Sequence, residues 1–222
     1  MSLQSRKSAE LQDPGAELLD RLTAFWDRYG RIVLGAAGAI VVIAAVAYFT
    51  IKNNAAQNDA ASERLAEADA LFWRGDYDRS KTTAQEVERT WGSTASGLDA
   101  HRIAGDDSYW LGNWKDAVTE YRAYLSHKGS GVMANTVRRS LAYALESDKQ
   151  YAEAAKLYDG LVGAFERESS AEFLAAAARC DDALGDHAGA RAHLERLVKE
   201  FGDTSYAARA RLSLARLGAG SH

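Results

Sequence analysis

The chain has 222 residues, and its 27 Lys and Arg against 31 Asp and Glu give a formal net charge of −4. That weakly acidic balance, with no stripe of basic residues, excludes the electrostatic footprint of a nucleic-acid-binding surface. One cysteine (Cys180) excludes an internal disulfide, and one proline (Pro14) in a sequence rich in Ala, Leu, Glu and Arg points to an all-α fold.

Residues 1–12 are polar and read as an N-terminal tail. "DPGAELLDRLTAFWDRYGR" follows at 13–31. Asp13 suits a helix cap and Pro14 a first helical position. Leu18, Leu19, Leu22, Phe25, Trp26 and Tyr29 recur at helical spacing, which predicts an amphipathic helix lying at a membrane interface or against a partner.

"IVLGAAGAIVVIAAVAYFTI" then runs from Ile32 to Ile51, 20 residues without a charge. As a helix it spans about 30 Å, the thickness of a bilayer's hydrocarbon. Its flanks carry the residues that favour the two interfaces: Trp26, Tyr29 and Arg31 before, and Tyr48, Phe49 and Lys52 after. A cleaved signal peptide has a shorter apolar stretch, a shorter leader and an A-x-A site. A soluble core helix is not apolar all round. The run therefore reads as a transmembrane helix at 32–51. Arg6, Lys7, Arg21, Arg28 and Arg31 precede it and only Lys52 follows closely. That bias predicts a cytoplasmic N-terminus and, in a bacterial inner membrane, a periplasmic C-terminal domain. Gly35, Ala36, Gly38 and Ala39 give the span a thin stretch that another helix can approach. Residues 52–59 read as a linker, 60–217 as the main domain and 218–222 as a C-terminal tail.

The main domain repeats one phrase: "GDYDRS" at 75–80, "GNWKDA" at 112–117, "KQYAEA" at 149–154 and "GDHAGA" at 185–190. Tyr77, Trp114, Tyr151 and His187 head the four units at spacings of 37, 37 and 36 residues. Three residues on stand Ser80, Ala117, Ala154 and Ala190. Ala84, Tyr121, Tyr158 and Leu194 come at +7, and Val87, Tyr124, Leu161 and Leu197 at +10. These three columns describe one inward stripe on the helix after each turn. Gly75, Gly112 and Gly185 suit a left-handed helix end, and Lys149 is the exception. A helix–turn–helix corner built four times cannot bury its apolar face singly, so the units stack. Nine helices are expected after the anchor: two per unit and a cap from "TSYAARARLSLARLG". Trp114 and Tyr151 are expected to be corner residues buried between helix pairs.

"GNWKDAVTEYRAY" and "KQYAEAAKLYDGL" resemble the tetratricopeptide repeat, although the period is longer than that family's and its proline is missing. Joined to the amphipathic helix, its "W..YG" exit, the single span and the ending "FGDTSYAARARLSLARL", the pattern is similar to the single-pass periplasmic tetratricopeptide-repeat proteins of bacteria. That family includes the ancillary subunit of the Sec translocon. The resemblance implies a concave groove lined by the first helix of each pair. On this chain its register places Phe72, Trp73, Arg102, Tyr109, Trp110, Arg139, Tyr143 and Arg179 on the groove wall. Aromatic and arginine side chains are the ones that anchor protein interfaces. The competing reading makes Phe72 and Trp110 core residues and neutralises the arginines with Asp106, Glu146 and Asp182.

There is no phosphate loop, H-E-x-x-H or G-x-S-x-G in the chain. "CDDALGDH" at 180–187 can be drawn as a metal site, but its acids flank a turn and His187 occupies the turn-aromatic slot. No catalytic, metal or cofactor residue is therefore assigned, and no nucleic acid or small-molecule substrate is expected. The reading is a non-catalytic scaffold or accessory subunit. It would stabilise an integral membrane complex, such as a translocon or a respiratory or photosynthetic reaction-centre assembly, through contacts with other subunits and the lipid bilayer. The alternative is a chaperone-like factor that binds unfolded chains at the Sec translocon.

Overall fold

A computed structural model describes residues 14–219, without the side chains of Pro14, Ala16 and Ala219, and all its regular structure is helical. The predicted polar tail and the Asp13 cap lie outside the described residues. The chain divides into residues 1–55 and a compact unit at 56–222.

Helix α1 covers Pro14–Trp73. Residues 52–59 are helical, which corrects the expected linker. "KNNAAQND" contains neither Gly nor Pro to stop a helix, and its two alanines favour one. In the part of α1 before residue 56, apolar side chains from Leu18 to Ile51 face outward.

The compact unit begins with the last turns of α1. It continues through α2 (Tyr77–Trp91), α3 (Ala95–Trp110), α4 (Trp114–His127), α5 (Val132–Ser147), α6 (Tyr151–Leu161), α7 (Arg167–Leu184), α8 (His187–Glu200) and α9 (Ser205–Ala219). Each helix from α2 onward packs on the next in sequence, α3 also touches α5, and α7 touches α9. Counting the end of α1, these are the predicted four pairs and a cap among the described residues. The predicted C-terminal tail is shortened, because Gly218 and Ala219 belong to α9.

The four repeated phrases are four copies of one helix ending. Gly75, Gly112 and Gly185 have φ of +79°, +77° and +77°, and Lys149 adopts the same left-handed conformation at +63°. In each turn the next residue's N–H reaches back to a carbonyl five residues earlier: Asp76 to Leu71 (3.0 Å), Asn113 to Ser108 (2.8 Å), Gln150 to Leu145 (2.8 Å) and Asp186 to Asp181 (2.9 Å). This bond satisfies carbonyls that the helix end would leave open. Lys149 makes the turn without glycine, at a steric cost that its Cβ imposes.

All three inward columns are buried, from Ser80, Ala84 and Val87 in the first unit to Ala190, Leu194 and Leu197 in the last. The heading residues are not. Trp114 is 40 % exposed, which corrects its expected burial, while Tyr151 is half-buried against the central core. Trp114 is the first residue of α4, where the chain has just left its turn; the stripe starts one helical turn later, at Ala117.

The core changes character along the array. The first unit packs small residues (Ala61, Ala68, Ala84, Ala100 and Ala104) with Val87 and Ile103. The centre is built on Tyr121, Tyr124, Tyr158 and Phe173. The ring of Tyr121, a residue of α4, packs against α3 because Gly105 leaves room for it: a Cβ there would stand 2.7 Å from the ring.

Candidate interaction surface

Phe72 and Trp73 end α1, and Tyr109 and Trp110 end α3. Both pairs therefore precede a left-handed turn, and the equal spacing of the turns brings their rings together. Phe72 meets Trp73 edge-on at 5.6 Å between centroids and Tyr77 at 5.4 Å. Tyr77 stacks on Trp110 at 5.9 Å and 12°, and Trp110 meets Tyr109 edge-on at 6.2 Å. Five rings from two repeats thus form one continuous patch. Trp73 is 78 % and Trp110 61 % exposed. Phe72 is the half-buried base of the patch, and Trp110 is surface rather than core. Tyr77, the bridge between the two repeats, carries no interface signal of its own in the sequence, where it is legible as a turn residue.

Next to the patch is a cleft of about 170 Å³ lined by Asp106, Tyr109, Trp110, Tyr121, Ser140 and Tyr143. The Tyr121 hydroxyl donates to Asp106 Oδ1 (2.7 Å), and Arg102 donates to Asp106 Oδ2 (3.2 Å). The next repeat contains the same device, with the tyrosine at the same +7 position and the acid and arginine at different ones. Tyr158 donates to Glu146 Oε2 (2.8 Å), and Arg179 grips Glu146 with two bonds of 2.6 and 2.9 Å. Tyr143 completes the row by donating to Glu172 (3.0 Å). Burial, reinforced by the adjacent carboxylate, holds the Tyr121 and Tyr158 phenols far above their usual range and pushes Tyr143 up to about 12. Burial also raises Asp106, against the opposing pull of Tyr121 and Arg102. The three phenols are therefore fixed hydrogen-bond donors that keep their protons near neutral pH.

The predicted set therefore divides. Phe72, Trp73, Tyr109, Trp110 and, through the cleft, Tyr143 come together. Arg102 and Arg179 are committed to Asp106 and Glu146, as the competing reading held for those two acids. Arg139 lies over the Phe165 ring at 5.2 Å, a cation–π contact, and its charge acts on Glu166, an acid the sequence reading did not name. Asp182 faces His187 (3.0 Å) instead of Arg179.

The "CDDALGDH" segment is also internally occupied. Asp181 lies 2.8 Å from His193 Nδ1, Asp186 caps α8 by accepting from Gly189 N–H (2.9 Å), and the buried Cys180 thiol is pushed up to about 12 by desolvation. Two charged groups elsewhere escaped sequence reading. Asp107 is fully buried on α3, neither of its carboxylate oxygens has a hydrogen-bond partner, and desolvation raises its pKa to about 7. The neighbouring Ser80 hydroxyl is committed to Ala68 O (2.8 Å). His101 sits between the Glu120 and Glu88 carboxylates, its Nδ1 hydrogen bond goes to Glu120, and the two acids together raise it to about 9.

In comparisons with known proteins, a tetratricopeptide-repeat family model matches residues 176–204, which cover the end of α7, α8 and the following turn. No curated protein sequence matches the chain. Among solved structures, the nearly identical TPR-like repeats assigned to a kinesin light chain of Podosopora anserina align with a TM-score of 0.56 at 18 % identity, covering 70 % of this chain and 84 % of that one. MamA from RS-1, as its ArsTM double mutant, aligns with a TM-score of 0.54 at 16 % identity, covering 74 % and 97 %. The chain is thus similar in fold to TPR solenoids, and its described residues form an all-helical, TPR-like repeat array.

Proposed function

We propose that this protein is a membrane-anchored, non-catalytic scaffold subunit that holds an inner-membrane protein complex together through its repeat domain. In this reading the apolar stretch of α1 crosses the bilayer, the N-terminal amphipathic helix lies at the cytoplasmic interface, and the repeats stand in the periplasm. Support for the anchor comes from α1, the one described helix long and apolar enough to cross a membrane. Length and composition alone pass that test; the outward-facing apolar side chains on every side of the segment add a physical reason.

The observation that carries the scaffold reading is the five-ring patch. Two exposed tryptophans, Trp110 stacked on Tyr77 and Trp73 edge-on to Phe72, make this patch the chain's best candidate for an interface anchor. Anchoring beside membrane partners raises the effective concentration, so individually weak contacts suffice. The test is purification of the tagged chain from native membranes in mild detergent, with and without the double substitution Trp73→Ala/Trp110→Ala. The expected result is a specific membrane complex that co-purifies with the native chain and is lost with the variant, whose helicity is unchanged. Recovery of a chain free of partners that binds unfolded polypeptides would favour the chaperone reading instead.

A further inference from the structure

We propose that Glu88, His101 and Glu120 form a binding site for one divalent transition-metal ion of the Zn²⁺ class. The three residues come from three helices, α2, α3 and α4, so an ion held there would tie the first repeat to the second. Their donor atoms all lie within 4.8 Å of one another. His101 Nδ1 is 2.8 Å from Glu120 Oε2 and 3.2 Å from Glu88 Oε1.

The argument rests on a hydrogen-bond deficit. The imidazole has one N–H on Nδ1, and in this geometry it serves Glu120. Glu88 Oε1 is then a buried carboxylate oxygen without a hydrogen-bond partner. Such a group carries its full desolvation cost. One proton cannot satisfy two carboxylates, whereas one divalent ion satisfies all three donors at once. It also neutralises the site, since two carboxylates balance its charge when the histidine is neutral.

The distances fit. Donors about 2.0–2.2 Å from a tetrahedral Zn²⁺ stand roughly 3.4 Å apart, so the observed pairs need only small side-chain rotations. One imidazole and two carboxylates suit Zn²⁺ better than Mg²⁺, which prefers oxygen ligands and keeps its waters. The three side chains retain a little exposure, 22 % for His101 and 17 % and 16 % for Glu88 and Glu120, which leaves a fourth position open to water.

The test uses the full chain in detergent micelles with Zn²⁺ alone as probe, reading thermal unfolding by circular dichroism and stoichiometry by titration calorimetry. One Zn²⁺ per chain is expected, with the unfolding midpoint rising roughly 5–10 °C at a hundredfold excess over Kd. His101→Gln should abolish the shift, and Glu88→Gln or Glu120→Gln should weaken binding at least about tenfold. Mg²⁺ should produce no shift. Absence of a Zn²⁺-dependent shift in the native chain, or an equal shift in His101→Gln, overturns the proposal. Should His101→Gln fail to fold, Glu120→Gln decides: undiminished affinity overturns it as well.

Discussion

Ile43 and Ile103 are the same residue in the same secondary structure, yet Ile43 is 68 % exposed and Ile103 is 2 % exposed. Around Ile43 the sequence is apolar in every direction of the helix, so no face is reserved for water and none for a partner within the chain. Around Ile103 the buried positions Ala100, Ala104 and Asp107 share its side of the helix, while His101, Arg102 and Asp106 lie off it and are hydrogen-bonded. The periodicity, more than the hydrophobicity, decides whether a helix joins a core. A helix without it needs an apolar solvent, which is the physical basis for the proposed bilayer.

The sharpest way to break this comparison is to truncate a large side chain in each region. Tyr158→Ala, in the centre of the repeat core, should lower the unfolding free energy of the repeat domain by about 3–5 kcal/mol in urea titrations. Ile43→Ala should leave that midpoint unchanged within about 0.5 kcal/mol. The opposite perturbation is a charge in the span. Val42→Arg should cost about 2.5–3.5 kcal/mol of membrane insertion, read as a smaller fraction of chains retained in membranes.

A smaller effect sits inside the repeat domain, at Asp107. Its folded pKa lies above its unfolded value, so the folded state binds the proton more tightly and ionisation destabilises it. Stability should therefore be greatest below about pH 4 with respect to this group, decline as pH rises through its folded pKa of about 7, and stay lower above it. Asp107→Asn should remove that component and raise stability at about pH 8 by roughly 1–3 kcal/mol, measured by denaturant unfolding across pH. An unchanged pH profile would mean that Asp107 finds a partner in solution. The smallest effect is at the turn that lacks glycine. Lys149→Gly should stabilise the domain by up to about 1 kcal/mol, and Gly112→Ala should destabilise it by a similar amount.

The repeat array was legible because its signal is written redundantly. Twelve positions in three columns had to be apolar or small for four units to stack, and all twelve are buried. Trp114 misled because its side-chain size suggests a core residue while its place, at the first position of α4, lies before the stripe begins. The polar composition of the 52–59 segment suggests a loop, whereas an exposed helix can be equally polar. The surface was half legible. The aromatic residues were identifiable, but their joining through Tyr77 depends on ring geometry between repeats. The pairing of Glu146 with Arg179 spans 33 residues, so the sequence can name the acid but not the arginine it meets. Glu88, His101 and Glu120 escaped for the same reason, since no spacing rule links one residue from each of three successive helices.

The central claim is that the chain is a bilayer-held anchor joined to a self-sufficient repeat domain. Its most direct test is protease digestion of spheroplasts combined with alkaline extraction of the membranes. The account predicts that the chain stays in the membrane pellet, that added protease digests the region from about residue 56 onward, and that residues 1–30 survive until the membrane is dissolved. Release of the intact chain into the alkaline supernatant would contradict the anchor, and protection of the repeat domain in intact spheroplasts would reverse its orientation.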